Sequence, residues 1–207
     1  MIPIELLLER GATYKEVDPG EFVFTEGGTA LFYYQLTSGR VRWCNIMDDG
    51  REVLHKVAYP GNSFGTLALL DQDIYAASAI ADTPCTLLRL SASKFHDILR
   101  EFPDIHQEFQ KSLVADLRFK FVLTNLLSRH NPEAVIRYLF TYFNQDGNLV
   151  CQDCNKLMLT RQQLANMTGL RVETVIRTIK QMEKDEKLSI VRGKVFVPAG
   201  DSDSAHF

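Results

Sequence analysis

The chain has 207 residues, 45% of them apolar and 10% aromatic, with 23 Lys+Arg against 26 Asp+Glu. This is the balance of an ordinary soluble globular protein; it excludes disordered, collagen-like and disulfide-scaffold chains, and the length admits one or two domains. No run reaches the roughly 18 to 20 apolar residues of a membrane span, and residues 1–10 carry Glu5 and Glu9 where a secretory leader needs a basic head, so a cytoplasmic location is expected.

From about residue 17 to residue 90, short runs of β-branched and aromatic residues are cut by Gly, Pro, Asn and Asp. Residues 22–24, 31–36, 40–46, 53–57 and 85–90 read as strands. Asp18-Pro19-Gly20, Glu26-Gly27-Gly28, Thr37-Ser38-Gly39, Asp48-Asp49-Gly50 and Tyr59-Pro60-Gly61-Asn62 read as the turns between them. Many short strands without long intervening helices exclude a doubly wound parallel sheet and predict an antiparallel β-roll of jelly-roll type.

Ser91 opens a helical stretch through Phe95, Ile98 and Leu99, and Pro103 permits a new helix to begin. Over 104–128 there is no Gly or Pro, and Ile105, Phe109, Leu113, Leu117 and Phe121 recur every fourth residue with Val114 and Val122 alongside. The pattern predicts one amphipathic helix of about 25 residues, roughly 37 Å long. A stripe of that length exceeds what one small β-roll covers, so a homodimer through Ile105, Phe109, Leu113, Leu117 and Phe121 is expected, against the alternative of a stripe buried within one chain. Asn131-Pro132 ends or kinks this helix, and 133–143 reads as a further one.

After Asp146-Gly147 the pattern changes. Thr160-Arg161-Gln162-Gln163 has the capping-box form, which predicts a helix from Arg161. Leu164, Ala165 and Met167 give it an apolar face, and Thr168-Gly169-Leu170 breaks it. A second helix is expected over 171–184, with Val175, Ile179 and Met182 on one side and Arg177 and Lys180 on a neighbouring face. Two short helices about a Gly turn, with small Ala165 four residues before Gly169, make a helix-turn-helix pattern; residues 188–197, turning at Arg192-Gly193, add a wing. Charge divides the same way: −6 over 1–155, +5 over 156–197 and −2 over 198–207. A short basic module behind an acidic body points to an anionic partner, nucleic acid first, with a merely solvated surface as the alternative. The expected organisation is an α+β fold: a β-roll effector or sensor domain over 1–102, a dimerisation helix over 103–130, a winged helix-turn-helix over 131–200 and a disordered tail over 201–207.

The run Thr160-Arg161-Gln162-Gln163-Leu164-Ala165, followed by Gly169-Leu170-Arg171-Val172-Glu173-Thr174-Val175-Ile176-Arg177, resembles a known signature. It is that of the CRP/FNR family of bacterial transcription regulators, Thr-Arg-x-x-Ile/Leu-Ala/Gly and then Gly-x-Ser/Thr-x-Glu-Thr-Val-x-Arg. Gly20-Glu21, Glu26-Gly27, Tyr33-Tyr34, Ser38-Gly39-Arg40-Val41 and Pro60-Gly61-Asn62-Ser63-Phe64-Gly65 carry weaker similarities in the same order. The resemblance implies a dimeric, non-enzymatic regulator bound to double-stranded DNA at a palindromic site, with RNA polymerase as a further expected partner. Val172 stands where cyclic-AMP receptor-like members carry Arg, so Val-Glu-Thr is similar to the FNR-like branch; Ile176 replaces a small polar residue common there, and Arg171 takes the usual Ser/Thr cap position. A TGA-like half-site core is expected.

Side-chain chemistry assigns the roles at such a contact. Arg can donate two hydrogen bonds to guanine O6 and N7, and Glu can accept from cytosine N4. Glu173 and Arg177, four apart on one helix face, are the candidate base-reading pair; an intrahelical ion pair is the competing role. Arg161, Arg171, Thr174, Lys180, Arg192 and Lys194 are candidate phosphate contacts.

For the sensing half, the resemblance implies a Glu for a ribose hydroxyl and an Arg-Ser pair for a cyclic phosphate. Here Gly65-Thr66-Leu67 has Thr at the Glu position and Ala77 precedes Ser78 in place of Arg, so a buried phosphate lacks its charged partner and tight cyclic AMP binding is not expected. Phe64, Gly65, Thr66, Leu67, Ala77 and Ser78 remain the candidate effector pocket. The N-terminal cysteine cluster of the FNR branch is absent, so an iron–sulfur cluster is not expected. His55, His96, His106 and His130 show no ligand spacing, which leaves haem a remote option.

Four cysteines, two of them isolated, fit a reducing compartment. Cys44 and Cys85 read as buried small hydrophobes. Cys151-Gln152-Asp153-Cys154 has the spacing of half a zinc knuckle or of a thiol–disulfide couple, but no second pair completes a metal site; Cys151 and Cys154 are therefore redox candidates. Two other function classes compete. One is a ligand-binding regulatory module acting on a partner protein, against which the basic segment counts. The other is a cupin-type enzyme, which needs clustered metal ligands; the sequence has no His-x-His pair, Gly-x-Ser-x-Gly motif or phosphate-binding Gly loop. Control by an effector or oxidant acting on the β-roll, or on its contact with the long helix, is the expected two-state mechanism.

Overall fold

The computed structural model describes residues 1–146, 149–151 and 153–198; the tail expected over 201–207 lies outside them, as do Gly147 and Gln152. The chain divides into two compact units, Met1–Leu117 and Arg118–Phe207. No helix among the described residues is long and apolar enough to cross a membrane.

The first unit begins with helix α1 (Ile4–Glu9) and continues through β1 (Thr13–Val17), β2 (Phe22–Phe24), β3 (Phe32–Ser38), β4 (Val41–Ile46) and β5 (Glu52–Ala58). Then follow β6 (Ser63–Phe64), a short helix α2 (Thr66–Leu70), β7 (Ser78–Ala81) and β8 (Cys85–Ser91). The strands form two four-stranded sheets, ordered β1-β8-β3-β6 and β2-β7-β4-β5, and every pairing is antiparallel. The expected β-roll is thus present, with β1, β6 and β7 added to the strands the sequence pattern showed.

Alternation along the strands sends one set of side chains between the sheets, where Val17, Leu36, Val41, Ala79 and Leu87 are buried with Phe24, Tyr34, Phe64 and Tyr75. The opposite face of β3 and β8 gives Tyr33, Leu88 and Leu90 to a second cluster, closed by α1 and by helix α3 (Ala92–Glu101). There Tyr33 stacks on Phe95 at 4.9 Å, and Phe109 meets both rings edge-on.

Phe109 belongs to helix α4 (Pro103–Ser128), which confirms the expected long helix and corrects its stripe. Phe109 is buried and Ile105 partly buried in that second cluster of the chain's own first unit, so neither is free to form the dimer face assigned to them. The apolar side chains left outward on α4 are Val114, Leu117 and Phe121, at 58%, 54% and 68% exposure, while Leu113 is half-buried.

In the second unit, Phe119, Leu123 and Leu126 are buried on the C-terminal part of α4. Phe119 packs at a tilt against Tyr142 of α5 (Pro132–Asp146), ring centroids 4.2 Å apart. The remaining elements are α6 (Arg161–Thr168), α7 (Val172–Lys184) and the hairpin β9 (Ser189–Val191) and β10 (Lys194–Phe196).

Candidate nucleic-acid interface

Helix α6 starts where its capping box places it. Gln163 N donates to Thr160 Oγ1 at 3.1 Å and Thr160 N donates to Gln163 Oε1 at 3.0 Å, so two backbone donors of the first turn are satisfied reciprocally. The helix ends at Gly169, whose φ of +71° is the left-handed conformation that a residue without Cβ adopts freely; its N–H closes on Ala165 O at 2.8 Å. Thr168 is buried and donates its hydroxyl to Leu164 O at 2.8 Å, so this polar side chain carries no unpaired donor into the helix crossing.

Arg171 is the extended cap residue of α7 (φ −64°, ψ 141°) and makes no side-chain capping bond, as its place at the usual Ser/Thr cap position implied. Val175, Ile179 and Met182 are buried on one side of α7, with Leu164 and Ala165 of α6 buried beside the turn. That backing turns Glu173, Ile176, Arg177, Lys180, Gln181 and Lys184 outward, where they line a shallow groove of about 430 Å³. Glu173 and Arg177 are both exposed, and no ion pair joins them among the described residues, so the intrahelical pair the spacing allowed is not formed.

The wing turns through Arg192 and Gly193, at φ +48° and +75°. Positive φ at both central residues of a two-residue loop matches the twist of an antiparallel hairpin, and Lys194 pairs with Val191 directly across it. Arg192 and Lys194 are exposed on this hairpin, and Thr174 is half-buried at the start of α7. Arg161 is half-buried and donates from a guanidinium nitrogen to Gly193 O at 2.5 Å, which locks the start of α6 to the wing turn. Lys187 reaches Glu133 of α5 at 2.6 Å, and that hydrogen bond, opposed by desolvation, holds its ammonium above the usual lysine range. The scaffold therefore brings Glu173, Arg177 and Lys180 onto one face. Gln181 and Lys184 extend the same groove and were legible as the next turns of that face; the Arg161 anchor, 32 residues from its acceptor, had no local signal.

In the β-roll the candidate pocket residues separate. Phe64 and Ala77 are buried, and Ser78, also buried, accepts from Glu26 N at 2.9 Å, whereas Leu67 is 40% exposed. Thr66 is half-buried. Gly65 has φ +73°, and a Cβ there would meet Phe24 at 2.8 Å. Residue spacing alone did not show the reason: Phe24 and Tyr75 stack at 3.8 Å, with Phe64 and Tyr34 packed against the same group, so aromatic rings fill the space between the sheets.

A family model for the cyclic nucleotide-binding domain matches residues 14–102, and one for the Crp-like helix-turn-helix domain matches 133–199. The nitrogen fixation regulation protein FixK of Bradyrhizobium diazoefficiens is 26% identical over 178 residues, covering 85% of this chain and 74% of its own length. The cAMP-activated global transcriptional regulator CRP of Pasteurella multocida is 26% identical over 176 residues, 84% of each chain. Among solved structures, the c-di-GMP responsive global regulator CLP of Xanthomonas campestris shares the fold with a TM-score of 0.72 at 20% identity, over 92% of this chain and 97% of that one. With a sensor-type β-roll and a helix-turn-helix matched in the same order, the chain belongs to the CRP/FNR family of DNA-binding transcription regulators.

Proposed function

We propose that this regulator acts as a homodimer, without enzymatic activity, and that α7 enters the major groove of a palindromic site with Glu173 and Arg177 reading base edges. The observation that carries this is their joint exposure, with no ion pair between them among the described residues, on a face backed by buried Val175, Ile179 and Met182. An Arg not engaged by its neighbour offers two parallel donors to guanine, and a Glu in the same state offers an acceptor to cytosine. Arg171, Thr174, Lys180, Arg192 and Lys194 surround that face and contact phosphates; Arg161 does so with the donors not given to Gly193. Val114, Leu117 and Phe121, spaced three and four apart, form the seam that pairs two copies, replacing the longer stripe.

The effector pocket does not fit a cyclic nucleotide. Rings occupy the interior, and Ala77 supplies no charge for a phosphate. A different effector acting on the β-roll, in the cytoplasm, shifts its packing on α4 and thereby the pairing of the two copies. Selection from a random duplex pool tests the whole reading: inverted half-sites about one helical turn apart, centred on a TGA-like core, are expected, and an unenriched or asymmetric pool overturns it. Calorimetry with cyclic AMP is expected to show no micromolar binding, and such binding contradicts the pocket reading.

A further inference from the structure

Cys151 and Cys154 take no part in the outward face of α7, yet they sit at the root of the wing. Asn155 N donates to Cys151 O at 2.7 Å and Cys151 N donates to Lys156 O at 2.9 Å, so Cys151 is tied by its backbone to the residues that follow Cys154, with Asn155 at φ +56°. The Cys154 side chain, and then the backbone N–H groups of Cys154 and Asp153, hydrogen-bond to the Cys151 sulfur and hold its thiol below the ordinary cysteine range. Cys151 is half-buried and Cys154 is exposed. The other two cysteines are unlike them. Cys44 and Cys85 are buried on strands, burial pushes the Cys44 thiol up to about 11, and Cys85 Sγ donates to Thr83 O and Arg40 O.

The same turn is tied to the wing. Lys156 bridges to Phe196, Leu157 N donates to Val195 O at 2.9 Å, and Val197 N donates to Asn155 O at 2.9 Å. Cys154 and Asn155 also wall a cleft of about 550 Å³ shared with Glu183 of α7, Leu188 and Phe196.

We propose that Cys151 and Cys154 are a redox-active dithiol whose oxidation to an intramolecular disulfide moves the wing. The oxidant is a small hydroperoxide. The Cys151 thiolate attacks one peroxide oxygen, the O–O bond breaks, and the departing hydroxide or alkoxide takes up a proton and leaves as water or an alcohol, with Cys151 left as the sulfenic acid. Cys154 then attacks that sulfur: the S–S bond forms, the S–O bond breaks, and the hydroxyl leaves with the Cys154 proton as water. Two thiols lose two electrons, and the peroxide gains them. A covalent bond brings the sulfurs closer than a hydrogen bond does, so it draws Cys154 toward Cys151 and carries Asn155, with its bond to Val197, along. The consequence at DNA rests on the proposed role of α7 and the wing; the disulfide does not.

The test uses the full chain, reduced and then treated with hydrogen peroxide, beside a Cys151→Ser/Cys154→Ser variant. Peptide mapping after alkylation is expected to show the two cysteines linked within one chain, and amide exchange at Leu157 and Val197 is expected to change. Anisotropy on a selected duplex is expected to show binding weakened fivefold or more, while the double variant binds like the reduced protein and ignores peroxide. Thiols that stay free, a bond between chains instead, or a disulfide that leaves those amides and DNA binding unchanged overturns the proposal. If no form binds DNA, the proposed function fails on its own, and mapping with exchange still decides the switch.

Discussion

Lys56 Nζ on β5 lies 2.8 Å and 2.9 Å from the two carboxylate oxygens of Asp116 on α4. Asp116 directly precedes the outward Leu117, so this pair holds the β4–β5 hairpin against the stretch of helix assigned to the second copy. Both side chains are 36% exposed, and water screens the pair to a coupling of about 0.2–1 kcal/mol. A double-mutant cycle of Lys56→Ala and Asp116→Ala, read by urea denaturation, is expected to return a coupling in that range that shrinks with salt. No coupling at low salt removes the tether.

Lys180, Arg192 and Lys194 are exposed, and they are the residues proposed to contact phosphates. Replacing each by Ala is expected to weaken binding to all duplexes alike and to reduce the slope of log affinity against log salt by about 0.9 for each phosphate no longer neutralised. A sequence-dependent weakening at any of them moves that residue from positioning to reading.

The ring group inside the β-roll sets a stability prediction. Phe24→Ala removes the stack on Tyr75 and leaves a cavity, at a cost of about 3–5 kcal/mol. Gly65→Ala adds a Cβ 2.8 Å from Phe24 in a left-handed backbone, so it too is expected to lower the urea midpoint. A neutral Gly65→Ala contradicts the tight packing described for that turn.

Cysteine alkylation as a function of pH separates the two thiol environments. Cys151 is expected to react with an inflexion below the ordinary thiol value of 9.0, and Cys44 only toward about 11. The sign for stability follows: burial favours the neutral Cys44 thiol, so its contribution is complete below 9.0 and is lost as pH rises through about 11. Equal inflexions for both cysteines contradict the environments seen here.

The helix-turn-helix was legible because its signals are local: a capping box, one Gly turn and an apolar face at helical spacing. Strand β7 was not, since Ser78-Ala79-Ile80-Ala81 carries little β-branched bulk and owes its form to burial between β2 and β4. Helices α1 and α2, six and five residues long, are too short for a period to show. On α4 periodicity found the apolar residues but could not say which neighbour takes them. Phe109 goes to Tyr33 and Phe95, Phe119 goes to α5, and Phe121 is left outward. At the site, Glu173 and Arg177 followed from spacing, whereas the Arg161–Gly193 lock depends on a hairpin that folds back from far along the chain.

Selection of the DNA sequence by Glu173 and Arg177 is tested most directly by comparing the selected duplex with single-base variants of each half-site. Wild type, Glu173→Ala and Arg177→Ala are measured side by side, each shown folded by circular dichroism. Each substitution is expected to erase about 1–3 kcal/mol of discrimination at its own base pair while leaving the other positions ranked as before. Unchanged discrimination at every position in both variants would place base reading elsewhere on the protein.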